Sequence, residues 1–199
     1  MNDYDKTLEK KWPPEHLSER GSYLHTPDHT VDYTVLKYLT DFFKQEGGSI
    51  CDLGCGCHGH YTLHFIENKI DCKGFDGNPN TSELTNNVCG TRDVTEDFDD
   101  VYDWMLCLEV AEHIPKKYEK IFINNLHKNN KKGIIISWAV EGQTSHAPEH
   151  VNEQNNDYVK GVFANLGYTN DQDLENKLRN SAQLDWFKNT IMVFRKASN

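Results

Sequence analysis

The sequence has no apolar run of signal-peptide length at its N-terminus and none long enough to cross a membrane. It also has no stripe of lysine and arginine, and its net charge is −10, which argues against nucleic acid or an anionic membrane as a partner. No Gly-, Ser- or Pro-rich linker and no internal repeat divides its 199 residues. We therefore expect one soluble, cytoplasmic domain at residues 31–199, preceded by a polar extension or lid at residues 1–30.

The six cysteines could form disulfides, remain reduced or bind a metal ion. The six cysteines lack the spacing of a disulfide scaffold, which predicts reduced and mostly buried thiols. They are Cys51, Cys55, Cys57, Cys72, Cys89 and Cys107. Three of them lie close to His58, so zinc is the alternative. However, Cys51 belongs to a predicted buried strand and the other two to a tight turn, which is a poor start for a tetrahedral site.

Strands and helices alternate along the chain. Strands are predicted at 49–53, 71–76, 88–98, 102–110, 133–140 and 190–196. Helices are predicted between them, at 30–48, 59–68, 78–87, 116–128, 156–168 and 173–182. Thr30 is the expected N-cap of the first helix, and Gly47 its stop. Because parallel strands need crossover connections, the alternation predicts an α/β fold with helices on both faces of a parallel sheet.

A glycine-rich turn joins the first strand to the following helix. Gly54, Gly56 and Gly59 form a G-x-G-x-x-G pattern in the strand–turn–helix context that binds nucleotide cofactors. Asp76 lies twenty residues beyond Gly56, at the end of the second strand, where a carboxylate can reach ribose hydroxyls. The combination predicts a cofactor site at this edge of the sheet.

Asp52 distinguishes between two cofactors. A carboxylate two residues before the glycine loop repels the pyrophosphate of a dinucleotide, whereas it attracts the sulfonium and ammonium groups of S-adenosylmethionine. The Tyr-x-x-x-Lys pattern of short-chain dehydrogenases occurs at Tyr33 and Lys37, but before the glycine loop and so out of order for that family. S-adenosylmethionine is the cofactor that we expect.

Four segments in order, "CDLGCGCHGHY", "GFDGN", "TRDVTEDF" and "YDWMLCLEVAEHIP", resemble the motifs of class I S-adenosylmethionine-dependent methyltransferases. The resemblance implies a Rossmann-like, seven-stranded, mostly parallel sheet whose antiparallel last strand is supplied by residues 190–196. It also implies a set of cofactor-binding residues. They are Asp52, Gly54 and Gly56 at the methionine portion, Asp76 at the ribose, Asp93 and Val94 at the adenine, Leu108 and Glu109 along the pocket, and Cys55, Gly77 and Asn78 beside them. A turn cap is the alternative for Asp93.

Two later segments, "SWAVEGQTSHAPEHVNEQ" and "WFKNTIMVFRK", resemble sugar-directed methyltransferase domains, especially the one fused to glycosyltransferases in large chlorella viruses. This resemblance implies a viral protein in the host cytoplasm, tethered to glycosyltransferase domains in a longer chain. It further implies O-methylation of a terminal deoxyhexose, such as rhamnose, on a glycan. A small phenol or carboxylate as acceptor is the alternative, and a non-catalytic cofactor-binding domain is another.

An aliphatic hydroxyl must lose its proton as it attacks the methyl group, so a base is needed. His113 and His150 are the candidates, with Glu109 beside them, because they follow adjacent strands. A helix cap is the alternative for His113, and a solvated loop is the interpretation of His146.

A metal site is a second hypothesis for the same residues. The Mg²⁺ or Mn²⁺ site of metal-dependent O-methyltransferases is resembled by Glu109, Glu112, His113 and His150. A simple pocket wall is the alternative for the glutamates.

Three polar or aromatic residues are expected to contact the sugar: Trp138, Gln143 and Asn152. Core packing is the alternative for Trp138. The segment "ERGSYLHTPDHT" is a candidate lid over the cofactor, with Tyr23, His25 and His29 near the site.

Overall fold

A seven-stranded sheet forms the centre of the computed structural model, which describes residues 17–26, 29–143 and 149–197. Its strands are β1 (Ile50–Leu53), β2 (Cys72–Asp76), β3 (Gly90–Thr91), β4 (Tyr102–Cys107), β5 (Asn130–Ser137), β6 (Tyr168–Asn170) and β7 (Ile191–Lys196). They lie in the order β3-β2-β1-β4-β5-β7-β6. The first five pair in parallel, whereas β7 is antiparallel to both β5 and β6. The expected Rossmann-like sheet with an antiparallel last strand is confirmed.

Helices cover both faces of the sheet because its central strands are apolar on both faces. In β4, Trp104 and Leu106 pack on one face, and Met105 and Cys107 pack on the other. The helices are α1 (Tyr33–Glu46), α2 (His60–Glu67), α3 (Thr81–Leu84), α4 (Glu119–Lys128), α5 (Asn156–Asn165), α6 (Gln172–Ser181) and α7 (Phe187–Thr190). Side chains of α1, α2 and α6 cover the first face, and those of α4 and α5 cover the second.

The N-cap of α1 is Asp32 rather than the predicted Thr30. One carboxylate oxygen of Asp32 accepts backbone N–H groups of the first turn of α1, and the other accepts those of residues 183–184. The completely buried Asp32 therefore caps α1 and also fixes the connection between α6 and α7. The helix ends at Gly47, as predicted.

Other boundaries also differ from prediction. The strand predicted over 88–98 contracts to the two residues of β3, because the chain turns at Asp93. The helix predicted over 156–168 ends at Asn165, where a turn leads into β6, and neither β6 nor α7 was predicted. Among the described residues, no helix has the length and apolar character needed to cross a membrane.

Candidate cofactor and acceptor site

A cavity opens at the carboxyl ends of β1, β2 and β4. The sheet order reverses between β1 and β4, and ligands of open α/β sheets bind at such a switch point. Its walls come from the glycine loop, from the ends of β2 and β4, and from residues 21–23 and 29–31 of the N-terminal segment. The edge of the sheet predicted for the cofactor thus carries a real cavity.

The glycine loop has a backbone conformation that only glycine adopts without strain. Gly54 has φ of +83°, and a Cβ added there would lie 2.2 Å from Cγ2 of Val110. Its N–H donates to the carbonyl of Phe75 at 2.7 Å. Gly56 donates its N–H to Oδ2 of Asp76 at 2.9 Å. The loop is therefore held against the end of β2, with its open side toward the cavity.

Three carboxyl groups line the cavity, and none of its described lining residues is lysine or arginine. Asp52 is buried and accepts a hydrogen bond from Thr62 Oγ1 at 2.8 Å. Burial raises the pKa of Asp52 to about 7. Glu109 accepts from Ser137 Oγ at 2.7 Å, and burial raises the pKa of Glu109 to about 7 as well. Since no described lysine or arginine lines the cavity beside these carboxyls, a cationic ligand would favour their charged forms.

Asp76 is the third carboxyl group, and each of its oxygens accepts a hydrogen bond from a backbone N–H group. Oδ1 accepts the N–H of Asn78 at 2.8 Å, opposite the bond from Gly56 to Oδ2. Burial raises the pKa of Asp76 above its usual value. Gly77 also lines the cavity, whereas Asn78 lies outside it and donates its side-chain amide to the carbonyl of His25. The predicted contact of Asp76 with ribose stays a prediction.

Of the two residues expected at the adenine, one lines the cavity and the other does not. Val94 lines the cavity, as do Leu108 and Cys55. Asp93 does not: its Oδ1 accepts from both the N–H and the hydroxyl of Thr95, at 2.8 and 2.6 Å. Asp93 therefore caps a turn, as the alternative interpretation expects, and its contact with adenine stays a prediction.

Glu112, His113 and His150 meet beyond the end of β4, and of the three His113 lines the cavity. Their candidate ligand atoms all lie within 4.8 Å of one another. His113 Nδ1 lies 3.1 Å from the carbonyl oxygen of Glu149, and His150 Nδ1 lies 3.2 Å from Oε1 of Glu153. Because a carbonyl or carboxylate only accepts, each Nδ1 carries a proton and each Nε2 keeps its lone pair in the neutral ring.

Burial sets the charge of this cluster. Glu112 is completely buried, and no described side chain forms a hydrogen bond with its carboxyl oxygens; the nearby backbone N–H groups of Glu112 and Ala139 favour its charged form. Burial, and then the charge of Glu109, raise the pKa of Glu112 well above its usual value. Burial, and then the neighbouring His150, lower the pKa of His113 to about 3. His113 is therefore neutral near pH 7, and burial favours the protonated form of Glu112.

Three of the four residues predicted as metal ligands thus come together. Glu109 stands outside the group, because its carboxyl is bonded to Ser137 at the end of β5. Its backbone also turns into the left-handed region, with φ of +55°. The connection from β5 reaches the cluster because the Glu112 carbonyl accepts the N–H groups of Val151 and Asn152.

Two of the three residues predicted to contact a sugar are buried inside the protein. Trp138 is 1% exposed, packs against Phe122, and donates Nε1–H to the Asn152 carbonyl at 2.6 Å. The Asn152 side chain is buried and donates to Glu119. Both interpretations are corrected, since each side chain is buried and bonded to other residues of the protein. Gln143 accepts the N–H of Val140 in a turn, and His146 lies outside the described residues.

The N-terminal segment lies across the cavity. Ser22 approaches so closely that a Cβ on Gly77 would meet its hydroxyl at 2.0 Å, and the His29 ring lies 3.1 Å from the same position on Gly56. The Tyr23 ring stands 5.3 Å from that of His113. Whether the segment opens as a lid stays a prediction.

Sequence reasoning missed the residues that hold the site in place. Thr62 bonds Asp52, Ser137 bonds Glu109, and Glu153 bonds His150. A signal was present for Ser137, a hydroxyl directly after three isoleucines in a buried strand. For Glu153 no local signal distinguishes it from other loop carboxylates.

A sequence profile described as a methyltransferase domain matches residues 28–173. The chain belongs to the methyltransferase-domain family. The members of this class I family are S-adenosylmethionine-dependent, and the fold of this methyltransferase agrees with that assignment. No curated protein sequence matches it.

Solved methyltransferase structures share the fold at low sequence identity. Magnesium protoporphyrin IX methyltransferase from Synechocystis PCC 6803, with bound S-adenosylhomocysteine, has a TM-score of 0.63 at 14% identity and covers 86% of this chain and 90% of its own. YcgJ from Bacillus subtilis has a TM-score of 0.60 at 15% identity, covering 84% and 100%. A TehB-like S-adenosylmethionine-dependent methyltransferase from Corynebacterium glutamicum has a TM-score of 0.61 at 12% identity, covering 83% and 88%.

Proposed function

We propose that this methyltransferase transfers the methyl group of S-adenosylmethionine to a hydroxyl of a terminal deoxyhexose, such as rhamnose, on a glycan. The observation that carries O-methylation is the imidazole of His150, which Glu153 holds and which packs edge-on against His113 in the cavity wall. The resemblance of residues 137–154 and 186–196 to viral sugar methyltransferase domains supports the acceptor. That resemblance also supports a tether to glycosyltransferase domains.

The donor set of the cavity fits S-adenosylmethionine. Bound there, this cofactor supplies a methyl group made electrophilic by the positive sulfur. Asp52 and Glu109 supply negative charge for a cationic ligand, and Gly54 and Gly56 let it approach the backbone. A pyrophosphate finds no lysine or arginine among the described residues that line the same cavity, which argues against a dinucleotide.

His150 is the base in this proposal. A base acting near neutral pH needs a pKa near that pH, and the pKa of about 3 removes His113 from that role. His150 is held by Glu153, whose carboxylate fixes the tautomer and stabilises the imidazolium that forms when a hydroxyl loses its proton. The His113 ring lies 4.9 Å from that of His150 and packs against it edge-on.

The same cluster fits a divalent cation. The buried Glu112 carboxyl and the ring nitrogens of His113 and His150 offer three ligand atoms within 4.8 Å of one another, an arrangement that suits one metal ion. Glu112, His113 and His150 would hold it, and two nitrogen donors suit Mn²⁺ better than Mg²⁺. Such an ion would lower the pKa of the acceptor hydroxyl.

The test is transfer of labelled methyl to rhamnose-terminated acceptors, run with EDTA and with added Mn²⁺. If His150 is the base, product survives EDTA, and His150→Gln and Glu153→Gln lower kcat, the first by about 10²- to 10⁴-fold. His64→Gln, on α2, is the matched control and leaves kcat unchanged. Product only with Mn²⁺ assigns the cluster to the cation instead.

Two outcomes contradict the sugar proposal. Methylation of phenols or carboxylates but of no sugar, with no effect of His150→Gln, assigns a small-metabolite acceptor. Cofactor binding without turnover on any acceptor assigns a non-catalytic domain.

A further inference from the structure

Two cysteines from different segments meet beneath the cofactor cavity. Gly74 in β2 has no side chain, and the space where its Cβ would lie is filled from three sides. That position is 2.4 Å from Thr62 Oγ1, 2.8 Å from Cys89 Sγ and 3.0 Å from Cys55 Sγ. The sulfur atoms of Cys55 and Cys89 are therefore close neighbours, although 34 residues separate them in the sequence.

The two thiols differ in their access to solvent. Cys55 belongs to the glycine loop and lines the cavity, whereas Cys89 is 1% exposed. Their contact lowers the pKa of Cys89 and raises that of Cys55, since one proton lies between the two sulfurs. The pair therefore loses its first proton more readily than a separate buried thiol does. A small oxidant that enters the cavity meets Cys55 first.

We propose that Cys55 and Cys89 form a reversible disulfide when the protein meets a peroxide, and that the bond prevents cofactor binding. The Cys89 thiolate, which the contact favours, first takes the shared proton from Cys55. The Cys55 thiolate formed in this way attacks one peroxide oxygen, the O–O bond breaks, and a sulfenic acid and hydroxide result. The hydroxide removes the Cys89 proton. The Cys89 thiolate then attacks Cys55 Sγ, the S–O bond breaks, and hydroxide leaves. In total, two thiols lose two electrons and two protons, and the peroxide becomes two molecules of water.

The bond would distort the loop that shapes the cavity. A disulfide brings two sulfurs to about 2.05 Å, well inside the separation of two thiols in contact. Cys55 lies between Gly54 and Gly56, whose N–H groups set the position of the loop against β2. Movement of Cys55 toward Cys89 moves that backbone away from its cofactor-binding position. This step rests on the proposed cofactor site and not on the identity of the acceptor.

The cross-link is detected without any cofactor. Trypsin cuts after Lys44, Lys69, Lys73 and Arg92, so peptide 45–69 carries Cys55 and peptide 74–92 carries Cys89. Peroxide treatment of the whole protein should join these two peptides, and dithiothreitol should separate them. Cys57→Ser, in the same peptide as Cys55, should leave the cross-link intact, whereas Cys55→Ala and Cys89→Ser should abolish it. Absence of the cross-link, or its persistence in Cys55→Ala, overturns the proposal.

Calorimetric titration with S-adenosylhomocysteine measures the consequence. The reduced protein tests the cofactor site by itself, because failure to bind there contradicts the proposed site whatever the cysteines do. The oxidised protein should bind at least tenfold more weakly, and dithiothreitol should restore the affinity. Cys89→Ser should bind equally well before and after peroxide. Oxidised protein that carries the cross-link and binds with unchanged affinity contradicts the switch.

Discussion

Asp52→Asn removes the buried charge that the account places next to the cationic part of the cofactor. The substitution keeps the shape of the side chain, and the amide oxygen can still accept from Thr62, so we expect the fold to survive. A hydrogen bond to a charged group contributes about 1.5–3 kcal/mol, which corresponds to about 10- to 150-fold weaker binding of S-adenosylmethionine.

The pH dependence of cofactor affinity gives an independent test of the role of the Asp52 charge. With a pKa of about 7, Asp52 is mostly ionised at pH 8 and mostly protonated at pH 6 in the absence of ligand. A cation binds the ionised form, so affinity should fall by about tenfold from pH 8 to pH 6. Glu109 titrates in the same range and adds to the fall. Asp52→Asn should reduce the slope, and the double variant with Glu109→Gln should abolish it.

Isothermal titration with S-adenosylmethionine at several pH values measures both effects. Asp93→Asn is the matched control, because Asp93 caps a turn outside the cavity and should not change the affinity by more than about twofold. Equal losses of cofactor affinity in Asp52→Asn and Asp93→Asn, or an affinity that rises as the pH falls, would refute the electrostatic reasoning.

Further predictions concern the loop and the core. Gly54→Ala places a methyl against Val110 at positive φ, so it should unfold at a lower temperature and lose cofactor binding, as measured by thermal melts and titration. Gly161→Ala, in α5 with open space around it, should instead stabilise the protein by about 0.5–1 kcal/mol in urea unfolding. Trp138→Phe leaves the buried Asn152 carbonyl without its donor, which should cost about 1–3 kcal/mol of stability and leave the acceptor KM unchanged. A raised KM would return Trp138 to the acceptor site.

The fold was predictable because its signals are local. Alternating strands and helices predict a parallel sheet, and the strand–turn–helix context of the glycine loop predicts the edge at which the cavity opens. Asp52 and Asp76 both follow from that position. The N-cap at Asp32 was missed because half of its hydrogen bonds go to residues 183–184, far along the chain.

The acceptor end of the site was less predictable because it depends on tertiary contacts. His113 and Glu112 were found from the end of β4, but the orientation of His150 depends on Glu153 across a loop turn. Trp138 was misassigned to the sugar because an indole in a polar segment looks the same in sequence whether its N–H faces an acceptor or a backbone carbonyl.

Heteronuclear NMR of a reaction with ¹³C-methyl S-adenosylmethionine tests the central claim most directly, because it shows which atom receives the methyl group. The account predicts a new O-methyl signal on the deoxyhexose of a rhamnose-terminated glycan, weakened or lost in Asp52→Asn. A methyl signal on a phenol or carboxylate alone, or cofactor that stays unreacted with every acceptor, would contradict it.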